Sequence, residues 1–325
     1  MRRFLLISLI CVAGSASMFA ATDEGLLALV PGDAKIVTFV DANQARNSQF
    51  GQYLLKQTQA NDQHFEEFVQ ETGFDPRRDL QSFMFESSGP TSDGTHGQWA
   101  LLARGTFDQD RIQTLARQKG ATVQTYQGVN ILVGKGDHQQ TAFAFPGIGL
   151  AVVGDLAAVR KILANNGTPT SLDPALNAEI EKASANNDAW FASSLGGSFL
   201  GNQIKGETKD APPQAVQALQ SILESSGGIR FGSTIDLTFD ALTRSPQDAT
   251  SLADVVRFVA SLLQMQRQKD PRAAILAKAL DNMDLTTTAD RLHLGIAIPE
   301  QSLEQLAQLG PPNSGTAVHP RAHAQ

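Results

Sequence analysis

The chain passes twice through one order of elements. A strand, a hairpin, a helix and a second hairpin occupy residues 34 to about 135, and a degenerate copy of that order occupies residues 188 to 298. A repeated supersecondary unit restricts the chain to a scaffold of similar modules, and such scaffolds present surfaces more often than they enclose a catalytic centre.

In the first copy, Pro31-Gly32-Asp33 turns the chain into a strand at 34–41 with apolar residues on both faces, as in a strand central to its sheet. Phe50, Tyr53 and Leu54, then Phe65, Phe68 and Val69, recur at helical spacing until Gly73-Phe74-Asp75-Pro76 stops the helix. Strands are predicted at 82–87 and 98–104. A helix capped by Thr106 or Asp108 follows, then strands at 122–126, 129–133, 141–145 and 150–153, and a helix at 156–164. In the second copy a strand at 189–195 answers to 34–41, with Asp188-Ala189-Trp190-Phe191 lying over Asp33-Ala34-Lys35-Ile36. Val216, Leu219 and Leu223 predict a helix over 214–225, followed by a hairpin of 229–233 and 236–243. Ser245-Pro246 opens the longest helix, with Leu252, Val255, Val256, Val259, Leu262 and Leu263 inward. A helix from Pro271, a hairpin of 284–288 and 291–298, and a short helix with Leu303 and Leu306 complete the chain.

The expected fold class is α+β: two related modules, each an antiparallel-rich sheet covered by helices, with a ferredoxin-like or split βαβ flavour. The modules are placed at residues 22–166 and 167–309, with Asn165-Asn166-Gly167-Thr168-Pro169 as the seam and 310–325 as a disordered tail. The first copy is expected to keep extra strands over 141–153 and the second to be richer in helix.

Residues 1–21 read as a signal peptide. Arg2 and Arg3 precede the apolar run 4–12, and small residues follow to Ala20 and Ala21; that run is about half of the roughly 20 residues a spanning helix needs. Contact with a membrane is expected only through this segment, left uncleaved. Cys11 lies within it, so the mature chain has no disulfide, no thiol nucleophile and no thiolate metal site. Ile10 before Cys11 is too large for a lipid-attachment site. Without Arg2 and Arg3 the formal charge moves from -7 to -9, and the one basic doublet, Arg77-Arg78, stands between Asp75 and Asp79 as a local ion-pair turn. Nucleic acid is not an expected partner, since its phosphates require a clustered basic face.

The spacing of the candidate catalytic residues matches no catalytic motif. His64, His96, His138 and His293 are dispersed, and His319 and His323 stand in the proline-containing tail, so no metal ligands are assigned. Ser87-Ser88-Gly89 and Ser193-Ser194-Leu195-Gly196-Gly197-Ser198 end strands near glycines without matching G-x-S-x-G, and turn roles are expected of them. Gly147-Ile148-Gly149 precedes a strand and reads as a hairpin turn, since a dinucleotide fingerprint opens a helix. Glu66, Glu67 and Glu71 read as solvated helix surface. No catalytic residue and no cofactor are assigned.

The string Phe74-Asp75-Pro76-Arg77-Arg78-Asp79-Leu80, with Leu29-Val30-Pro31-Gly32-Asp33-Ala34, Gly105-Thr106-Phe107-Asp108 and Gly154-Asp155-Leu156-Ala157-Ala158-Val159, resembles uncharacterised exported bacterial proteins of domain-of-unknown-function type. The resemblance spans most of the first half and implies no catalytic residues. The expectation is an exported envelope protein, periplasmic or extracellular, that binds another envelope protein or a small ligand through a sheet face or the groove between modules. The alternative is an envelope hydrolase with an unrecognised Ser/His/acid site.

Overall fold

A computed structural model describes residues 23–52, 63–90, 97–134, 140–165, 168, 170–197 and 212–309. The predicted signal peptide with Cys11, most of the seam, residues 198–211 and the tail lie outside the described residues. Among the described residues twelve strands alternate in chain order with short connections and helices: β1 (Ile36–Asp41), β2 (Leu80–Ser87), β3 (Trp99–Gly105), β4 (Thr122–Tyr126), β5 (Val129–Val133), β6 (Thr141–Gly147), β7 (Leu150–Asp155), β8 (Ala189–Ser193), β9 (Ile222–Arg230), β10 (Thr234–Thr243), β11 (Asp284–Thr288) and β12 (Arg291–Pro299). They form one sheet in the order β11-β12-β10-β9-β8-β1-β2-β3-β7-β6-β5-β4, every neighbouring pair antiparallel. The α+β class with an antiparallel sheet stands; the strands make a single sheet instead of one per module, because β1 pairs with β8 as well as with β2.

Outward from β1 the order is β2, β3, β7, β6; outward from β8 it is β9, β10, β12, β11. The hairpin β6–β7 therefore has a positional counterpart in β11–β12, and the strands without one are β4 and β5, not those of 141–153. Gln127 and Gly128 join β4 to β5 with φ of 48° and 79°. Positive φ at both central residues is what a type I′ hairpin turn requires.

The helices are α1 (Glu24–Leu27), α2 (Ala42–Asn47), α3 (Gln63–Thr72), α4 (Pro76–Asp79), α5 (Gln109–Gln118), α6 (Leu156–Asn165), α7 (Pro174–Ser184), α8 (Pro213–Gln220), α9 (Pro246–Gln266), α10 (Pro271–Leu280) and α11 (Glu300–Gln308). Four of them, α4, α7, α9 and α10, begin with a capping Asp or Ser followed by proline: Asp75, Asp173, Ser245 and Asp270 each accept a bond from a backbone N–H of the first turn. Proline loses nothing there, since that N–H has no partner inside the helix. No helix among the described residues is long and apolar enough to cross a membrane.

Alternation along the strands sorts the core onto two faces. Ile131, Ala144, Val152, Leu102, Met84, Phe39 and Trp190 stand opposite one another across seven strands and pack under α1, α6 and α7. A smaller core lies on the opposite face, where Ala241 and Leu292 meet Ala218 of α8 and Leu252 and Ala253 of α9. Because α7 and β8 share the larger core with the first seven strands, the change of core falls after β8.

Two further expectations are corrected. The helix predicted over 214–225 ends at Gln220, and β9 begins at Ile222; hydrogen bonding to β8 on one side and β10 on the other overrides the helical spacing of Val216, Leu219 and Leu223. Ser225, Ser226, Gly227 and Gly228 are small enough for that interior place. In α9, Val259 is half exposed instead of inward, beside the exposed Phe258. Both side chains line a groove between α8 and α9.

Candidate functional site

Phenylalanine is placed at one parity along several strands. Phe83 and Phe85 on β2, Phe143 and Phe145 on β6, Phe191 on β8 and Phe239 on β10 all point to the sheet face opposite Val37 and Met84. Between β3 and β10 this face is crossed by ring pairs: Phe85 stacks on Trp99 at 6.3 Å between centroids, and Phe191 stacks on Phe239, also at 6.3 Å. The second pair closes over Gly227, which stands directly between the two residues. A Cβ there would lie 2.9 Å from the Phe191 ring and 2.4 Å from the Thr238 carbonyl oxygen, so only glycine lets the rings meet.

Where α3 and α5 cover β2, β3, β7 and β6, the same face bounds an apolar cavity of about 510 Å3. Its floor is Phe83, Leu101, Ala103, Ala151, Val153 and Phe143; its roof includes Phe68, Phe74, Phe107 and Ile112. Thr72, the polar residue of this wall, donates its hydroxyl to the Phe68 carbonyl oxygen at 2.7 Å. The rings continue as a chain: Phe68 to Phe74 at 6.4 Å, Phe74 to Phe107 at 4.9 Å, Phe107 to Phe145 at 5.7 Å, and Phe145 to Phe143 at 4.7 Å.

Among the described residues, Arg77, Arg78, Arg111 and Lys119 beside the cavity are engaged by protein acceptors. Arg77 makes a two-pronged bond to Asp75, with both N···O distances 2.9 Å, reaches Glu66 at 3.2 Å and lies 4.6 Å above the Phe65 ring. Arg78 grips Asp79 at 2.7 and 2.8 Å. The bonds from Arg77 and Arg78 hold the Asp75 and Asp79 carboxyls below the usual range. The Arg77-Arg78 turn is thus the ion-pair structure its sequence predicts, with Phe74 and Leu80 anchored in the cavity wall. Arg111 of α5 donates to the Glu71 carbonyl oxygen at 2.9 Å and to that of Gln70, while Lys119 pairs with Glu71. Gly73, at φ +74°, ends α3 and lets the Arg111 side chain lie across it.

The other face carries a polar network toward its β12 side. Ser226, Asp240 and His293 stand opposite one another on β9, β10 and β12. Glu179 of α7, 2% exposed, accepts the Ser226 hydroxyl and pairs with Arg291 at 2.9 Å. Lys182 of α7 reaches Asp240 at 2.8 Å, and His293 Nδ1 lies 3.0 Å from the same carboxylate. Burial, with the nearby charge of Glu179, pushes the Glu224 carboxyl up. Asp240 occupies the middle position, so Ser226 and His293 are two strand spacings, roughly 10 Å, apart. A serine hydrolase needs its base bonded to the nucleophile; here the hydroxyl is bonded to a carboxylate and the imidazole to another.

Glu86 stands apart from both groups. It faces the large core from β2 between Val37 and Ala100, is 2% exposed, and its Oε1 has no hydrogen-bond partner. Burial first, then the negative charge of Asp33, push its carboxyl up to about 8, with Lys161 opposing and Asp155 adding to the effect. The Asp33 and Lys161 side chains are paired with each other, and Asp155 accepts the Trp99 N–H.

Of the serines singled out by sequence, Ser87 and Ser193 serve turns. Ser87 Oγ donates to the Gln98 carbonyl oxygen and accepts the Gly89 N–H, both at 3.1 Å; Ser193 Oγ accepts the Leu195 N–H at 3.1 Å; Ser194 Oγ is buried without a partner. His64 is exposed beside Glu67, and His96, His138, Ser198, His319 and His323 lie outside the described residues. Glu66, Glu67 and Glu71 lie on exposed helix surface, where Glu66 meets Arg77 and Glu71 meets Lys119. Gly147-Ile148-Gly149 is the β6–β7 turn, with Ile148 99% exposed. Among the described residues no group of three or more His, Cys, Asp or Glu side chains is arranged to hold a metal ion. The cavity and the Glu179 network were not foreseen; their sequence signals are the phenylalanine parity and the polar parity of β10 and β12.

No family model matches the chain, and no curated protein matches it significantly. Among solved structures it is similar to the Treponema protein TP0453. Crystal form III of that protein aligns over 89% of this chain and 99% of its own at 12% identity and a TM-score of 0.48. Crystal form IV aligns over 86% and 95% at 12% identity and a TM-score of 0.47.

Proposed function

We propose that this chain is an exported binding protein of the bacterial envelope, periplasmic or extracellular, that holds a small apolar ligand between its sheet and helices α3 and α5. The cavity of about 510 Å3 carries the reading. Its size falls in the range of roughly 300–1,000 Å3 typical of ligand sites, and its walls are apolar where a core would be filled. The signal-peptide pattern of residues 1–21 supports export.

The strand orders running outward from β1 and from β8 support descent of the two halves, 22–166 and 167–309, from one unit. Each half keeps the hairpin, connection, hairpin order behind the ferredoxin-like comparison. On this reading the first half added β4 and β5 and carries the ligand, while α8 to α10 fill the corresponding face of the second half.

The test is fluorescence titration of the purified mature protein with N-phenyl-1-naphthylamine, a neutral dye that brightens in apolar surroundings. Saturable binding at one site is expected, weakened at least tenfold by Ala103→Phe, which adds a ring to the cavity floor. Dye binding that is non-saturable, or unchanged in a folded Ala103→Phe protein, would remove the basis for the proposal.

A further inference from the structure

The cavity floor runs across four adjacent strands, with Phe83 on β2, Leu101 on β3, Val153 on β7 and Phe143 on β6. Three strand spacings make it roughly 14 Å long. A volume of about 510 Å3 over that length leaves a mean cross-section of roughly 36 Å2. This is a slot for something elongated and thin. Its roof is set by aromatic rings in mutual contact, Phe68 to Phe74 to Phe107, which resist widening.

The surroundings also say what the slot does not read. Arg77 is held by Asp75 and Glu66, Arg111 by two carbonyl oxygens at the end of α3, and Lys119 by Glu71. An anionic group at the slot would have to take one of these cations from its present partner, close to the carboxylates of Glu66 and Glu71. Among the described residues the inward surface offers it no free side-chain donor, since the Thr72 hydroxyl is spent on Phe68.

Resting on the binding proposal above, we infer that the slot takes a single alkyl chain, selected by length, and gives no recognition to a charged head group. Each methylene that enters the slot strengthens binding about fourfold, until the slot is full. The head group remains in water and leaves affinity unchanged.

The experiment is displacement of N-phenyl-1-naphthylamine from the mature protein by three homologous series: n-alcohols, n-alkyl carboxylates and their methyl esters. In every series affinity should rise about fourfold per methylene to a common plateau length. At equal chain length, carboxylate and ester should agree within about threefold at low and high salt, since an engaged cation offers no unscreened attraction. Ala103→Leu, which puts three further carbons into the floor, should move the plateau to chains shorter by roughly three methylenes. A carboxylate preferred tenfold or more, with salt dependence, would overturn the inference while leaving apolar binding intact. So would affinity that does not depend on chain length. Failure of the dye itself to bind would instead remove the proposed function.

Discussion

Replacing Glu86 by glutamine should stabilise this protein at neutral pH, contrary to the usual effect of altering a buried residue. The glutamate is enclosed in the main core, one carboxyl oxygen is without a partner, and its acidity is weakened from the ordinary 4.5 to about 8. A folded-state value above the unfolded one means that the native protein binds the proton more tightly. Its stability is therefore greatest below pH 4.5, falls as pH rises, and levels off above about 8. At about 1.4 kcal/mol per pH unit, the full interval amounts to roughly 5 kcal/mol, of which about 3 kcal/mol has been lost at pH 7. Glutamine has the size of the protonated carboxyl and never ionises, so Glu86→Gln escapes that loss. Urea unfolding of both proteins from pH 4 to pH 9 should show curves that nearly coincide at pH 4 and diverge to about 3 kcal/mol at pH 7 in favour of the variant. A difference that does not change with pH, or a wild type that is the more stable at pH 7, would show that Glu86 is charged and satisfied in the native state.

Three further outcomes are expected. Gly227→Ala should destabilise by about 1–3 kcal/mol in denaturant, because the added methyl meets the Phe191 ring and the Thr238 carbonyl oxygen; an unchanged midpoint would show that the ring pair is not held as described. Glu179→Ala should cost about 3 kcal/mol by leaving the Ser226 hydroxyl unsatisfied and Arg291 unpaired. In the same variant the Glu224 carboxyl should titrate at lower pH by carbon-detected NMR, since one cause of its raised value has gone. Asp75→Asn should cost about 1 kcal/mol at pH 7 through the lost Arg77 ion pair, since asparagine keeps an oxygen to cap α4. Because Asp75 is held below the ordinary carboxylate range, its contribution is complete above that range and disappears as pH falls through its native value, so wild type and variant should converge in acid.

Pairing of strands decides how the two groups of helices divide the sheet. On the face bearing Val37, α1, α6 and α7 cover the strands from β5 to β8. On the opposite face α8 and α9 close the β10 and β12 side, and α3 and α5 roof the β6 and β7 side. The ring pairs Phe85 with Trp99 and Phe191 with Phe239 lie between those two roofs. A sheet with both faces partly apolar, covered by different helices at its two ends, has the means to keep an apolar slot beside a filled core.

Local chemistry was legible in the amino-acid sequence. Proline after a capping Asp or Ser marks the starts of α7, α9 and α10, Gln127-Gly128 turns β4 into β5, and Asp75-Pro76-Arg77-Arg78-Asp79 folds back on its own ion pairs, because all of these are settled within a few residues. What needed the tertiary structure was every question about partners distant in the chain. Val216, Leu219 and Leu223 keep a helical period past Gln220, yet Ile222 enters a strand, since β8 and β10 satisfy its backbone from both sides. The parity of the phenylalanines could be counted along each strand, but a cavity follows only when β2, β3, β7 and β6 are set side by side under α3 and α5. Glu86 makes the same distinction in one residue: its identity is plain in the chain, and its neutrality arises because β1, β3 and α6 shut out the water that would otherwise stabilise its charge.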